Sequence, residues 1–197
     1  MEHGSIERCP WCGTDPLYMR YHDEEWGEPV HDDARHFEFL LLETQQAGLS
    51  WITILRKREA YRRAFLGFDA ERVARFTEKD VERLLSDPGI VRNRRKIEAS
   101  VRNAQAFLEI REKHGSFDDW IWGFVDGKPV DGKRATMADI PVTTSLSDTL
   151  SAEMKALGFG FVGSTTIYAH LQAIGIVNDH VRSCFRYAQL KAGRKDR

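Results

Sequence analysis

Three observations predict an all-α chain: apolar residues recur at helical spacing, each periodic run is bounded by a polar cap or a glycine, and alternating apolar segments are scarce. The 197 residues are 42% hydrophobic, enough for one core, so a single domain over 1–197 is expected. Lys and Arg number 29 against 30 Asp and Glu, a net charge of −1 that excludes a wholly basic coat but is silent on local clusters. No run approaches the ~18 apolar residues of a membrane span, and the start lacks an apolar signal stretch, so a cytoplasmic location is expected.

Residues 1–32 show little periodicity and read as a non-helical end. From Asp33, Phe37, Phe39, Leu40, Leu41 and Leu42 make a helix apolar nearly all round, stopped at Gly48. Ser50 is placed to cap a second helix starting at Trp51, and Thr77 with Asp80 resembles a capping box for a third. Ile97, Val101, Ala104 and Leu108 mark the apolar stripe of a long helix ending at Gly115. Leu146, Leu150, Met154 and Leu157 repeat the pattern after Ser145 or Ser147, with Gly158 as the stop, and a last helix closes at Gly175. The segment 126–134, with two Asp-Gly pairs, is too short and polar for a sheet and reads as a surface loop. Residues 176–197 form a second non-helical end with a frayed tail at 191–197, leaving a helical body over 33–175.

Charge collects at two places. Arg92, Arg94, Arg95 and Lys96 follow a Pro88-Gly89 turn between two helices, where backbone N–H groups and cations suit a phosphate. The alternative is a solvated basic helix start, which the helix dipole disfavours. Arg56, Lys57, Arg58, Arg62 and Arg63 lie late in the second helix, where cations complement the dipole and Glu59 offers a local partner. The helix, glycine turn, helix layout is similar to a helix-hairpin-helix element, although Val91 replaces that motif's second glycine.

Cys9, Cys12 and His22 near one end, with His180 and Cys184 near the other, offer five ligands for a tetrahedral zinc site that would staple the ends together. Cys9, Cys12, His180 and Cys184 make one set; exchanging Cys12 for His22 makes the other. Trp11, Tyr18, Tyr21, Trp26 and Trp51 are either core or the walls of a stacking site. Glu43 follows four apolar residues in a helix that looks buried. It either points to water or is a buried carboxylate with a task.

With these residues assembled, the chain resembles the bacterial 3-methyladenine DNA glycosylase I family of the helix-hairpin-helix glycosylase superfamily, through YHDEEWG, QQAGLSW, GIVRNRRKI and NDH. The resemblance implies that fold, with zinc-stapled terminal segments spanning 1–32 and 176–190. It also implies one structural Zn2+ per chain on Cys9, His22, His180 and Cys184. Catalytic roles then fall to Glu43 and Tyr21, and base contacts to Trp11, Tyr18, Trp26 and Trp51. Gln46, Gly48 and Leu49 look like the probe that fills the gap left by a flipped nucleotide, while Gly89, Arg92, Asn93 and Arg94 would hold the backbone. The implied activity is hydrolytic excision of 3-methyladenine from alkylated double-stranded DNA by a monomer. Asn93 stands where bifunctional relatives carry a lysine nucleophile, so no lyase step is expected. The competing reading is a non-catalytic helix-hairpin-helix DNA-binding module.

Overall fold

The computed structural model describes residues 6–192. Its helices are α1 (Pro16–Glu24), α2 (Asp33–Gln46), α3 (Trp51–Ala64), α4 (Ala70–Val73), α5 (Glu78–Leu85), α6 (Arg94–His114), α7 (Phe117–Gly123), α8 (Ser145–Ala156), α9 (Ser164–Ala173) and α10 (Phe185–Ala192). Strands β1 (Val130–Asp131) and β2 (Val177–Asn178) pair in parallel, Val130 opposite Val177. The fold is all-α, as the periodicity predicts, and none of its described helices is long and apolar enough to cross a membrane.

Helix α2 is central because its sequence leaves it no solvent face. Asp32 caps it by accepting from the Arg35 N–H, and it packs against α3, α6, α7 and α9. Its Phe37 meets Phe107 of α6 edge-on at 5.2 Å, and Phe107 stacks on Phe117 of α7 at 4.4 Å.

Several expectations need correction. The ends are not wholly helix-free: α1 begins with Pro16 behind an Asp15 cap, and α10 occupies the stretch read as coil. Both are short, and aromatic positions in both, with His22 in α1, obscure their periodicity. Of the tail at 191–197, Lys191 and Ala192 end α10, and 193–197 lie outside the described residues. The loop at 126–134 contributes β1, which needs only two residues because β2 comes from far along the chain. In α6 the buried stripe runs through Ile97, Ser100, Asn103, Phe107 and Ile110, leaving Val101 and Leu108 half-buried at its edge. Ser50 occupies the cap position of α3, but its hydroxyl pairs with Thr53 Oγ1 rather than a backbone N–H. Thr144, not Ser145 or Ser147, caps α8. At α5 the Asp80 carboxylate accepts from the Thr77 N–H, the reach-back half of a capping box. Helices α6 and α8 end at Gly115 and Gly158 as expected.

Candidate active site and metal centre

The end of α2, the start of α3, helix α1 and the 3-10 turn Pro10–Cys12 converge on a cleft of about 200 Å³. Asp15 caps α1 by accepting from the Leu17 and Tyr18 N–H groups, and the helical spacing from Tyr18 to Tyr21 then turns both rings toward the cleft. Trp11 lies 4.9 Å from both Tyr18 and Trp26, and Tyr21 lies 5.4 Å from Trp51. The six residues expected for a base pocket, Trp11, Tyr18, Tyr21, Trp26, Glu43 and Trp51, all line this one cleft. The indole N–H groups of Trp11 and Trp51 are buried with no partner among the described residues. A buried N–H without an acceptor is costly.

Helix α2 buries several polar groups, and the larger ones other than Glu43 each have a partner, although His36 Nδ1 has none among the described residues. Glu38 accepts from Arg35, Arg58 and Arg62; His36 meets Asp118 at 2.8 Å; Gln45 holds Tyr61, Ser100 and the Lys96 carbonyl. Glu43, only 3% exposed, has neither a hydrogen bond nor an ion pair among the described residues. Burial alone pushes its carboxyl up to about 8, which favours the protonated acid at neutral pH. The Tyr21 phenol is pushed well above its ordinary value, first by burial and then by Glu43, and stays neutral.

The cleft continues into an exposed turn. Gln46 Nε2 donates to the Leu49 carbonyl at 2.6 Å, and the Leu49 N–H returns to the Gln46 carbonyl at 2.7 Å. Gly48, at φ +80°, completes this turn, which holds the Leu49 side chain 38% exposed beside the pocket. Gln46 therefore both braces the turn and lines the cleft.

The hairpin between α5 and α6 differs from the expected phosphate cradle. The Gly89 N–H is taken by Asp87 Oδ1 at 2.7 Å, and a Cβ at Gly89 would stand 2.9 Å from the Ala60 Cβ, so packing against α3 requires the glycine. Arg94 pairs with Glu78, Glu82 and Glu98. Lys96 is buried and points inward, donating to the Gln45 and Ala47 carbonyls at 2.7 and 2.6 Å. It closes the C-terminal end of α2, where carbonyls lack helical partners. Of the four clustered cations, Arg92 and Arg95 remain exposed without an ion pair among the described residues. Asn93 caps α6 by accepting from the Lys96 N–H. The second basic cluster is largely neutralised: Arg58 and Arg62 hold Glu38, Arg56 meets Asp15, and Lys57 donates to the Pro88 and Gly89 carbonyls.

Cys9, His22, His180 and Cys184 bring their ligand atoms within 4.8 Å of one another, all buried. The Cys9–His180, Cys184–His180 and Cys184–His22 sulfur–nitrogen distances are 3.5, 3.5 and 3.4 Å. Tetrahedral zinc at ordinary bond lengths holds such ligands about 3.5 Å apart, so the donor set fits that ion. Each histidine's other ring nitrogen is engaged, His22 Nδ1 by Asp23 at 2.8 Å and His180 Nε2 by the Trp26 carbonyl at 3.0 Å. Arg8 holds Asp23 in turn. Cys12 is not among these four residues, and its thiol donates to the Cys9 carbonyl.

Met137, Ile140, Ala169 and Gln172 also line the cleft and were not singled out from sequence. Met137 and Ile140 arrive on a loop far along the chain, without local signal. Gln172 shares its helix with polar Ser164, Thr165, Thr166 and His170, so no local anomaly marks it.

The chain matches the family model described as methyladenine glycosylase over residues 11–187. It is 50% identical to DNA-3-methyladenine glycosylase 1 of Escherichia coli, covering 92% of this chain and 97% of that one. It is 45% identical to DNA-3-methyladenine glycosylase of Haemophilus influenzae, covering 90% and 96%. Among solved structures, the 3-methyladenine DNA glycosylase I of Staphylococcus aureus, described for its recognition of 3-methyladenine, superposes with a TM-score of 0.89 at 41% identity, covering 92% and 97%.

Proposed function

The chain belongs to the methyladenine glycosylase family, and from that premise we propose that it draws a damaged nucleotide out of alkylated double-stranded DNA into the cleft over Glu43. The activity is that of a DNA-3-methyladenine glycosylase: hydrolysis of the N-glycosidic bond, releasing 3-methyladenine and leaving an abasic site. We take it to act as a monomer in the cytoplasm.

The unpartnered Glu43 carboxyl, buried beneath aromatic rings, is the single observation that carries this assignment of the site. Adenine methylated at N3 is a cation within the nucleotide. Electron-rich Trp and Tyr faces attract a cation, and its arrival makes the ionised carboxylate the favoured form, so Glu43 gives up its proton and pairs with the base edge. A normal, neutral base offers no charge to offset a buried carboxylate, so the same group discriminates against it. Extrusion costs a few kcal/mol, which Leu49 offsets by occupying the gap in the stack. Water then attacks the sugar carbon. The bond to the base breaks with its electron pair going to the base, which leaves neutral, and the water's second proton passes to solvent. Arg92 contributes backbone affinity beside Asn93, and Arg94 joins it once its carboxylate partners are exchanged for phosphate.

Cys9, His22, His180 and Cys184 would hold zinc, which would supply structure rather than chemistry. Those ligands share a wall with the cleft: the His22 ring is 5.3 Å from Trp11, and the His180 ring 4.5 Å from Trp26. The four residues thereby position the aromatic side of the pocket. A module that only bound DNA would have no use for the buried acid.

The test is release of free base from methylated duplex. Wild-type protein is expected to release 3-methyladenine, and Glu43→Gln to lose most release while binding undamaged duplex normally. Equal loss of both properties in a folded Glu43→Gln variant would contradict the role given to the acid.

A further inference from the structure

We infer that Gln172 is a specificity-determining residue, its side-chain carbonyl held toward the cleft by the buried carboxylate of Asp179 so that the pocket selects a base carrying an exocyclic amino group. The inference rests on the base-excision reading above. Asp179 is 1% exposed and accepts from three donors: Arg134 Nε at 2.8 Å on one oxygen, and the Tyr168 hydroxyl and Gln172 Nε2, the latter at 2.8 Å, on the other. Arg134 also donates to the Tyr168 oxygen at 3.2 Å, which closes the network.

A carboxylate paired with a guanidinium only accepts, so the amide of Gln172 must turn its NH2 toward Asp179. The group left to the cleft, which Gln172 lines, is the carbonyl Oε1, and it has no donor among the described residues. The backbone is pressed against this network. A Cβ at Gly132 would fall 1.9 Å from Asp179 Oδ1, so glycine is required there and the carboxylate has no room to move away. The same segment leads through Arg134 to Met137 and Ile140 on the cleft wall.

The cleft thus presents two acceptors, Glu43 once ionised and Gln172 Oε1, with no compensating side-chain donor from the glutamine. Adenine carries an amino group at its six position, where guanine and hypoxanthine carry a carbonyl. A carbonyl facing Oε1 leaves two acceptors opposed and unpaired, which lowers affinity about ten- to a hundredfold. Gln172 touches the base, whereas Asp179 is a positioning residue acting through it.

Free 3-methyladenine and free 3-methylhypoxanthine, which differ at the six position and in one ring N–H, provide the test, and the variants isolate the part of the difference that Gln172 reads. Their affinities for zinc-loaded wild-type, Gln172→Leu and Asp179→Asn proteins are read from tryptophan fluorescence, alongside 3-methyladenine release from methylated duplex. Wild type is expected to prefer 3-methyladenine by at least tenfold. In Gln172→Leu this preference shrinks at least tenfold through weaker 3-methyladenine binding. It also shrinks in Asp179→Asn, whose side chain lets the amide turn over without changing its size. Wild type that releases 3-methyladenine without preferring the amino base overturns the inference alone, as does a folded Gln172→Leu that keeps the preference or loses both affinities equally. If Gln172→Leu does not fold, Asp179→Asn decides the matter on the same ratio. Wild type that releases no base overturns the excision reading instead.

Discussion

Replacing Glu43 by glutamine should make the ligand-free protein more stable at alkaline pH while disabling it. The carboxyl is raised from an ordinary 4.5 to about 8 by burial alone. The folded state therefore holds the proton more tightly than the unfolded state. The associated stability is complete below pH ~4.5, is lost as pH rises toward about 8, and then stays lost. The full shift corresponds to about 5 kcal/mol, of which about 4 kcal/mol falls between pH 5 and pH 9. Glutamine keeps the shape and does not ionise, and every other titrating group is common to both proteins. Urea unfolding of the two at pH 5, 7 and 9 isolates this one group. The difference in unfolding free energy, variant minus wild type, should grow by several kcal/mol across that range and flatten above pH 8. Parallel profiles would show that Glu43 is solvated or paired in the free protein, and the account of cation capture would lose its basis.

Because kcat/KM reports groups of the free enzyme, it should rise with pH through about 8 and level off above it as Glu43 ionises; a profile flat from pH 6 to 9 would refute this. Cys9→Ser or His180→Ala should abolish bound zinc and sharply lower the melting temperature, since structural zinc contributes on the order of 10 kcal/mol. Cys12→Ser should keep one zinc per chain by elemental analysis, because its hydroxyl can still donate to the Cys9 carbonyl. Lys96→Met should cost about 2–4 kcal/mol by removing two charge-assisted bonds to the α2 end, yet leave the salt dependence of duplex binding unchanged. Arg92→Ala should do the reverse, reducing the salt slope by about one with little effect on the melt.

Much of the site was legible because its residues carry unusual chemistry for their surroundings. Cysteines and histidines near both ends, five aromatics in short stretches and an acid after four apolar residues are local anomalies, and each has a physical reading without coordinates. The charge cluster after Gly89 was legible as a cluster, but its meaning changed. Lys96 is one residue from Arg95 in sequence, and about a quarter-turn of helix sends one side chain into the core and leaves the other in water. Which residues gather also depended on three dimensions, since C-x2-C spacing suggests Cys12 whereas the cluster of ligand atoms contains His22.

The amino-acid sequence by itself determined the all-α class, the order of its main helices, the metal-capable residues and the aromatic set, because composition and period are properties of neighbours along a chain. Only the tertiary structure decided that Glu43 stands unpaired while its neighbours Glu38 and Gln45 are satisfied, and that Gln172 and Met137 complete its cleft. It alone revealed that β1 and β2 meet across 46 intervening positions in register Val130 with Val177. The physical reason is the same throughout: pairing and burial depend on which distant segment comes to lie against a residue, and a one-dimensional pattern carries no record of that partner.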